Sequence, residues 1–145
     1  MSKKFVLLYS LVGVGLGVIL PSLSVLGWML FGPIGKIIEI NSPIPLENTQ
    51  LKKGDTISMI VDYCRYTDAP VITRATLVGE DYIHTYPSTE TRFPAGCDRV
   101  VNSSRAVPLD APPIPLVLHL NLDYEINPLR HYRVTFVTEE FQVVE

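Results

Sequence analysis

The side chains of this chain that could do chemistry are three histidines, two cysteines, a scatter of serines and fifteen carboxylates. Nucleophilic catalysis requires a nucleophile, a base and an orienting group within hydrogen-bond reach. Ser88, Ser103 and Ser104 have no identifiable histidine partner. His119 falls on the solvent-side phase of its strand, His131 begins the next strand, and His84 sits in an exposed connection, so the imidazoles do not gather and no metal site is expected. If Asn127-Pro128 centres a hairpin, His131 lies near Tyr124 or Glu125, several rows away from His119, as a surface pair worth a few tenths of a kcal/mol. The adjacent carboxylates Glu80 and Asp81 read as a solvated turn rather than an acid/base pair. The expectation is therefore no catalytic residue, no metal ligand and no cofactor.

Cys64 and Cys97 are 33 positions apart, with no C-x-x-C spacing and no further ligand at metal spacing. A structural disulfide is the expectation, with two buried free thiols as the alternative. Joined, the pair closes a loop worth roughly 3.5–4 kcal/mol on the chain-entropy model. Asn102-Ser103-Ser104 forms a glycosylation sequon, which matters only in a eukaryotic secretory pathway.

The longest feature is the uncharged run Phe5–Phe31, FVLLYSLVGVGLGVILPSLSVLGWMLF. A hydrocarbon core about 30 Å thick takes roughly 20 apolar residues at 1.5 Å each, so the run predicts a transmembrane signal-anchor. It is long for a cleaved signal peptide, although Ser22-Leu-Ser24 after Pro21 offers a cleavage site. Lys3 and Lys4 flank one end and only Lys36 lies close to the other, which places residues 1–4 in the cytoplasm. The expected location is thus the inner (cytoplasmic) membrane, single-pass, with a periplasmic or extracellular C-terminal domain and the lipid bilayer as a partner. Gly13-Val-Gly15-Leu-Gly17 is no dinucleotide loop, since no strand precedes it. Ser10, Gly13 and Gly17 instead form a small-residue face suited to a helix–helix contact. Residues 32–35, Gly-Pro-Ile-Gly, read as a hinge.

From residue 36 to 145 the pattern changes to period two. Lys36–Ile40 reads as a first strand and Ser42-Pro-Ile-Pro45 as an irregular edge. Thr56–Cys64 sets Ile57, Met59, Val61 and Tyr63 on one face; Val71–Val78 alternates as well, with Arg74 and Thr76 on the face of Ile72. Tyr82–Tyr86 and Arg99–Val107 are further strands, separated by turns at Pro87-Ser88 and Phe93–Cys97. Leu116–Ile126 alternates over so long a run that a helix is excluded. Asn127-Pro128-Leu129 turns the chain into Tyr132–Val137 and Phe141–Val144, a last strand bulged around Glu139-Glu140. All fifteen acids but only ten of the twelve bases lie beyond the apolar run, so a basic nucleic-acid footprint is absent and no nucleic-acid partner is expected.

About seven short strands with turns between them predict an all-β sandwich. The proline-rich connection Leu109–Pro115, the long strand after it and the final hairpin resemble an immunoglobulin-like or fibronectin type III-like domain over 36–145. The chain departs from that family in having no Trp on a central strand and in its close cysteine spacing, which does not suit the usual bridge between sheets. The stretch Leu51–Arg130, with GDTI, PAGC and INPLR, also resembles single-pass membrane proteins encoded by bacteriophages, which implies no activity. The expected function is a membrane-anchored, non-catalytic binding module that meets a protein partner through Tyr66, Tyr82, Tyr86, Arg92 and Phe93, aromatic and basic side chains of the connections. An accessory subunit of a larger membrane complex and a periplasmic enzyme of unrecognised type are the alternatives.

Overall fold

The computed structural model describes residues 3–91 and 95–144, and the side chains of all of these except 3–14, 16, 91, 103 and 104. A helix, α1 (Lys3–Phe31), precedes ten strands: β1 (Ile38–Ile40), β2 (Gln50–Lys52), β3 (Thr56–Arg65), β4 (Val71–Val78), β5 (Ile83–Thr85), β6 (Thr89–Thr91), β7 (Gly96–Ala106), β8 (Pro115–Asn127), β9 (Arg130–Val137) and β10 (Phe141–Val144). The chain divides into two compact units.

The first unit is Met1–Ile34 with Asn127–Arg130. Pro21 lies inside α1, and Ser22 and Ser24 turn their hydroxyls back onto the carbonyls of Val18 and Leu20. Gly32 N–H closes the last turn on the Trp28 carbonyl, 2.8 Å away, and Pro33 cannot continue the ladder. In the same unit Asn127 Nδ2 donates to the Met29 carbonyl at 3.1 Å, and Arg130 donates to that of Gly32.

The expectation of a transmembrane signal-anchor over 5–31 is corrected here: among the described residues no helix is long and apolar enough to cross a membrane. The inner-membrane, single-pass location and the bilayer as a partner rested on that span and fall with it. Ser10 and Gly13 lie among the helix residues outside this description; at Gly17 an added Cβ would meet nothing within 4 Å.

The second unit, Gly35–Ile126 with His131–Glu145, is all-β as the period-two pattern predicts. One sheet runs β1-β3-β7 and the other β2-β10-β8-β4-β5, with β6 also on β4 and β9 also on β8. Ile57, Met59, Val61 and Tyr63 of β3 bury one face against Ala75 and Leu77 of β4, Leu116 and Leu118 of β8, and Phe141 and Val143 of β10. Each large apolar side chain so buried stabilises the unit by about 1.5–3 kcal/mol. Ile44, between Pro43 and Pro45, is fully buried as well; its N–H bonds the Val137 carbonyl and its carbonyl accepts from Glu139. Lys52–Asp55 turns as its residues dictate, with Gly54 at φ +86°.

The break between β9 and β10 has a local cause. Thr138 N–H reaches the Leu118 carbonyl at 3.0 Å, while its hydroxyl accepts from Leu118 N–H at 3.0 Å and donates to the Glu139 carbonyl. A side chain thus replaces part of the ladder, and the strand re-forms with Phe141 opposite Leu116.

Candidate functional site

Two surfaces of the second unit are built from residues that could meet a ligand. The first is the outer face of the larger sheet. Outward phases of β4, β6, β8 and β9 meet in rows, because Ile72 pairs with Glu90 on one side and Asp123 on the other. Arg133 extends that row, its guanidinium donating to Asp123 at 2.8 Å. In the next row Arg74 opposes Asn121, whose side chain accepts from the Thr135 hydroxyl. The groove along these rows has a volume of about 540 Å³ and is lined by Ile72, Arg74, Ser88, Glu90, Asp123, Glu125 and His131, among others.

Ser88, His131 and Asp123 in one groove have the composition of a hydrolytic triad, and strand spacing decides against that geometry. Ser88 adjoins β6 and His131 lies on β9, three strand intervals apart, so about 14 Å separates their backbones. His131 Nδ1 is 3.6 Å from Asp123 Oδ1. The hydrogen bond from Arg133, foremost, holds the Asp123 carboxyl below the usual carboxylate range, against the opposing effect of burial. The Asp123 charge in this groove is thus already matched by Arg133.

The second surface is the smaller sheet's edge at β7. Its sheet neighbour is β3, paired antiparallel from Thr56↔Ala106 to Arg65↔Gly96 with a bulge between Ile57 and Met59. At the far end this edge is covered: the Tyr86 hydroxyl donates to the Ala106 carbonyl at 2.7 Å, and Arg105 donates to Thr89 at 2.9 Å while lying over the Tyr86 ring. Along Gly96–Asn102 no residue of another strand gives such cover among the described residues; Arg99 N–H alone is capped, by the Asp98 carboxylate at 2.7 Å. Val101 stands outward there, 57% exposed, and Arg99 Nε lies 3.5 Å from Asp62.

Cys64 and Cys97 are directly opposite each other in this strand pair and form the expected disulfide. The bridge joins neighbouring strands of one sheet rather than two sheets, as the close spacing suggested. Beside it is a groove of about 380 Å³ lined by Glu39, Asn41, Asp62, Tyr63, both cysteines and Asp98. A third space, of about 50 Å³ between the sheets beside Met59, Leu122 and Phe136, is far below the roughly 300 Å³ that ligand pockets start from.

The aromatic contacts expected from the connections are tied into the framework. Tyr66 donates to Glu39 at 2.7 Å, which is also paired with Lys36; Tyr82 donates to Asp110 at 3.2 Å; Tyr86 closes the β7 edge. Arg92 and Phe93 lie outside the described residues. His84 packs edge-on to Tyr86 with ring centroids 4.8 Å apart. Among the described residues no group of three or more His, Cys, Asp or Glu is placed to hold a metal ion. What sequence reasoning missed is the open edge at Val101: its alternation is readable, but which strand stands beside it is not.

No family model and no curated protein matches the chain. Among solved structures it is similar to the alkylpurine DNA glycosylase AlkC of Pseudomonas fluorescens bound to DNA containing an abasic site analog, at 12% identity and a TM-score of 0.45 over 83% of this chain and 33% of that one. It is also similar to the sporulation control protein Spo0M of Bacillus subtilis, at 13% identity and a TM-score of 0.38 over 76% of this chain and 50% of that one. The chain thus spans half or less of each of these structures. The expectation of no nucleic-acid partner was drawn from charge alone, whereas the glycosylase structure holds DNA; at these scores the likeness carries no argument about ligands in either direction.

Proposed function

We propose that the β-unit is a non-catalytic, immunoglobulin-like binding module, and that its partner is a protein that adds an extended segment along Gly96–Asn102 of β7. The observation that carries this reading is the open edge: this part of an eleven-residue strand has β3 on one side and no strand on the other among the described residues. An uncovered edge presents unpaired N–H and C=O groups, which an extended peptide satisfies by strand addition. The bulge, Tyr86 and Arg105 close the far end, so an added strand would stop near Asn102. The non-catalytic part is supported by the pairing already present: Asp123 with Arg133, Glu39 with Lys36 and Tyr66, and Asp62 with Arg99.

A photo-crosslinking residue at position 101 should capture one discrete protein adduct in the native cell. The same residue at Ile72, on the outer face of the larger sheet, should capture none. A discrete adduct at position 72 with none at position 101 would move the docking surface to that sheet face and sink the edge reading.

A further inference from the structure

The cysteine pair has properties that neither the core nor the proposed docking requires. β3 is buried in alternation, and Cys64 falls on its outward phase; Cys97 opposite is exposed. Both sulfur-bearing residues line the groove of about 380 Å³, which gives an attacking group a way in. The bond also adds nothing to the pairing of the two sheets, because it crosses one strand pair already joined by its own ladder. What it fastens is the first end of β7, Gly96–Asp98, and β7 has β3 as its neighbour in the sheet.

We propose that Cys64–Cys97 is a thiol–disulfide exchange site, opened by a dithiol reductant without unfolding of the chain, and that opening loosens the first half of β7. This goes beyond the docking reading and does not depend on it. In the first step a reductant thiolate attacks Sγ of Cys97, the more exposed residue of the pair, forming a mixed disulfide; the Cys64–Cys97 bond breaks and Cys64 leaves as a thiolate that takes up a proton. The reductant's second thiolate then attacks its own sulfur in the mixed disulfide and releases Cys97. Two electrons pass from the dithiol, which becomes a disulfide, and two protons end on the cysteines.

The surroundings also select the attacking thiol. Glu39, Asp62 and Asp98 line the groove, and of the nearby cations Lys36 is engaged by Glu39 and Arg99 by Asp62. Their excess negative charge repels an anionic reductant and attracts a cationic one, an effect that salt screens.

The test uses the full oxidised chain. Dithiothreitol followed by iodoacetamide without denaturant should alkylate both cysteines at a rate within about tenfold of that for the chain in guanidinium, as an accessible bond requires. Amides of 97–101 in the reduced chain should then exchange at least about tenfold faster, with those of β4 and β8 unchanged. At low salt, cysteamine should form the mixed disulfide at least about threefold faster than mercaptoethanesulfonate, and the ratio should approach one in molar salt. Cys64→Ser with Cys97→Ser should reproduce the exchange pattern, and the reduced wild-type chain supplies the same reading if that variant does not fold. Reduction more than tenfold slower than in denaturant, unchanged exchange in β7, or no difference between the two thiols would each overturn the proposal.

Discussion

At Tyr86 one hydroxyl does structural work at the end of an edge strand, and its titration is a readout of that. Burial foremost, then the neighbouring Tyr82, push its phenol up to about 12 from 10.0, with Arg105 opposing. Burial likewise raises Tyr124, whose ring lies beneath Arg65. A phenol with a raised folded pKa keeps its proton where the unfolded chain has lost it. Stability is therefore fully present below about pH 10 and is lost as pH rises toward about 12. Denaturant titrations between those values should show this loss, and Tyr86→Phe should make it shallower; an unchanged slope would remove Tyr86 as its source. Proton linkage of this kind is invisible in the sequence, where Tyr66, Tyr82 and Tyr86 look alike as loop aromatics.

Among the elements, the β8–β9–β10 arrangement rests most on one residue. Thr138 is buried, and its hydroxyl receives Leu118 N–H where the ladder breaks. Thr138→Val keeps the shape and removes the acceptor, leaving a buried donor unsatisfied, so it should cost about 1–3 kcal/mol. Urea denaturation measures this; a loss below a few tenths would mean that the break is held by Ile44 and its flanking backbone bonds instead. An irregularity there was readable because Glu139-Glu140 interrupts alternation between two apolar runs, but it is a break between β9 and β10 rather than a bulge within one strand. β2 and β6 were not readable, since three-residue strands carry too little periodicity and exist only because β10 and β4 offer them an edge.

For the β-unit as a whole, cohesion comes from the layer shared by the two sheets. Phe141 is 1% exposed and belongs to that layer near Leu116 and Val143. Phe141→Ala should destabilise the unit by about 3–5 kcal/mol, through lost transfer energy and the cavity left behind. Because β3, β4, β8 and β10 share one core, the loss should appear as a shifted midpoint of a single unfolding transition. A second transition, with β3 and β7 melting apart from β4 and β8, would show that the sheets are stabilised separately.

Alternation by itself determined which faces of β3, β4 and β8 are buried, because a period of two leaves a strand only one way to hide its apolar set. It also determined that the cysteines would not bridge the sheets in the immunoglobulin manner, since their spacing was wrong for it. Neighbours were decided only by the tertiary structure: that Cys97 stands opposite Cys64, that Asp123 meets Arg133 across a hairpin, and that β7 is left with an open edge. Pairing between distant strands is fixed by how the whole core closes, and no local pattern in Gly96–Ala106 carries that information. The titratable residues read one by one as ordinary surface chemistry, and the closed fold gathered three of them around an exposed disulfide.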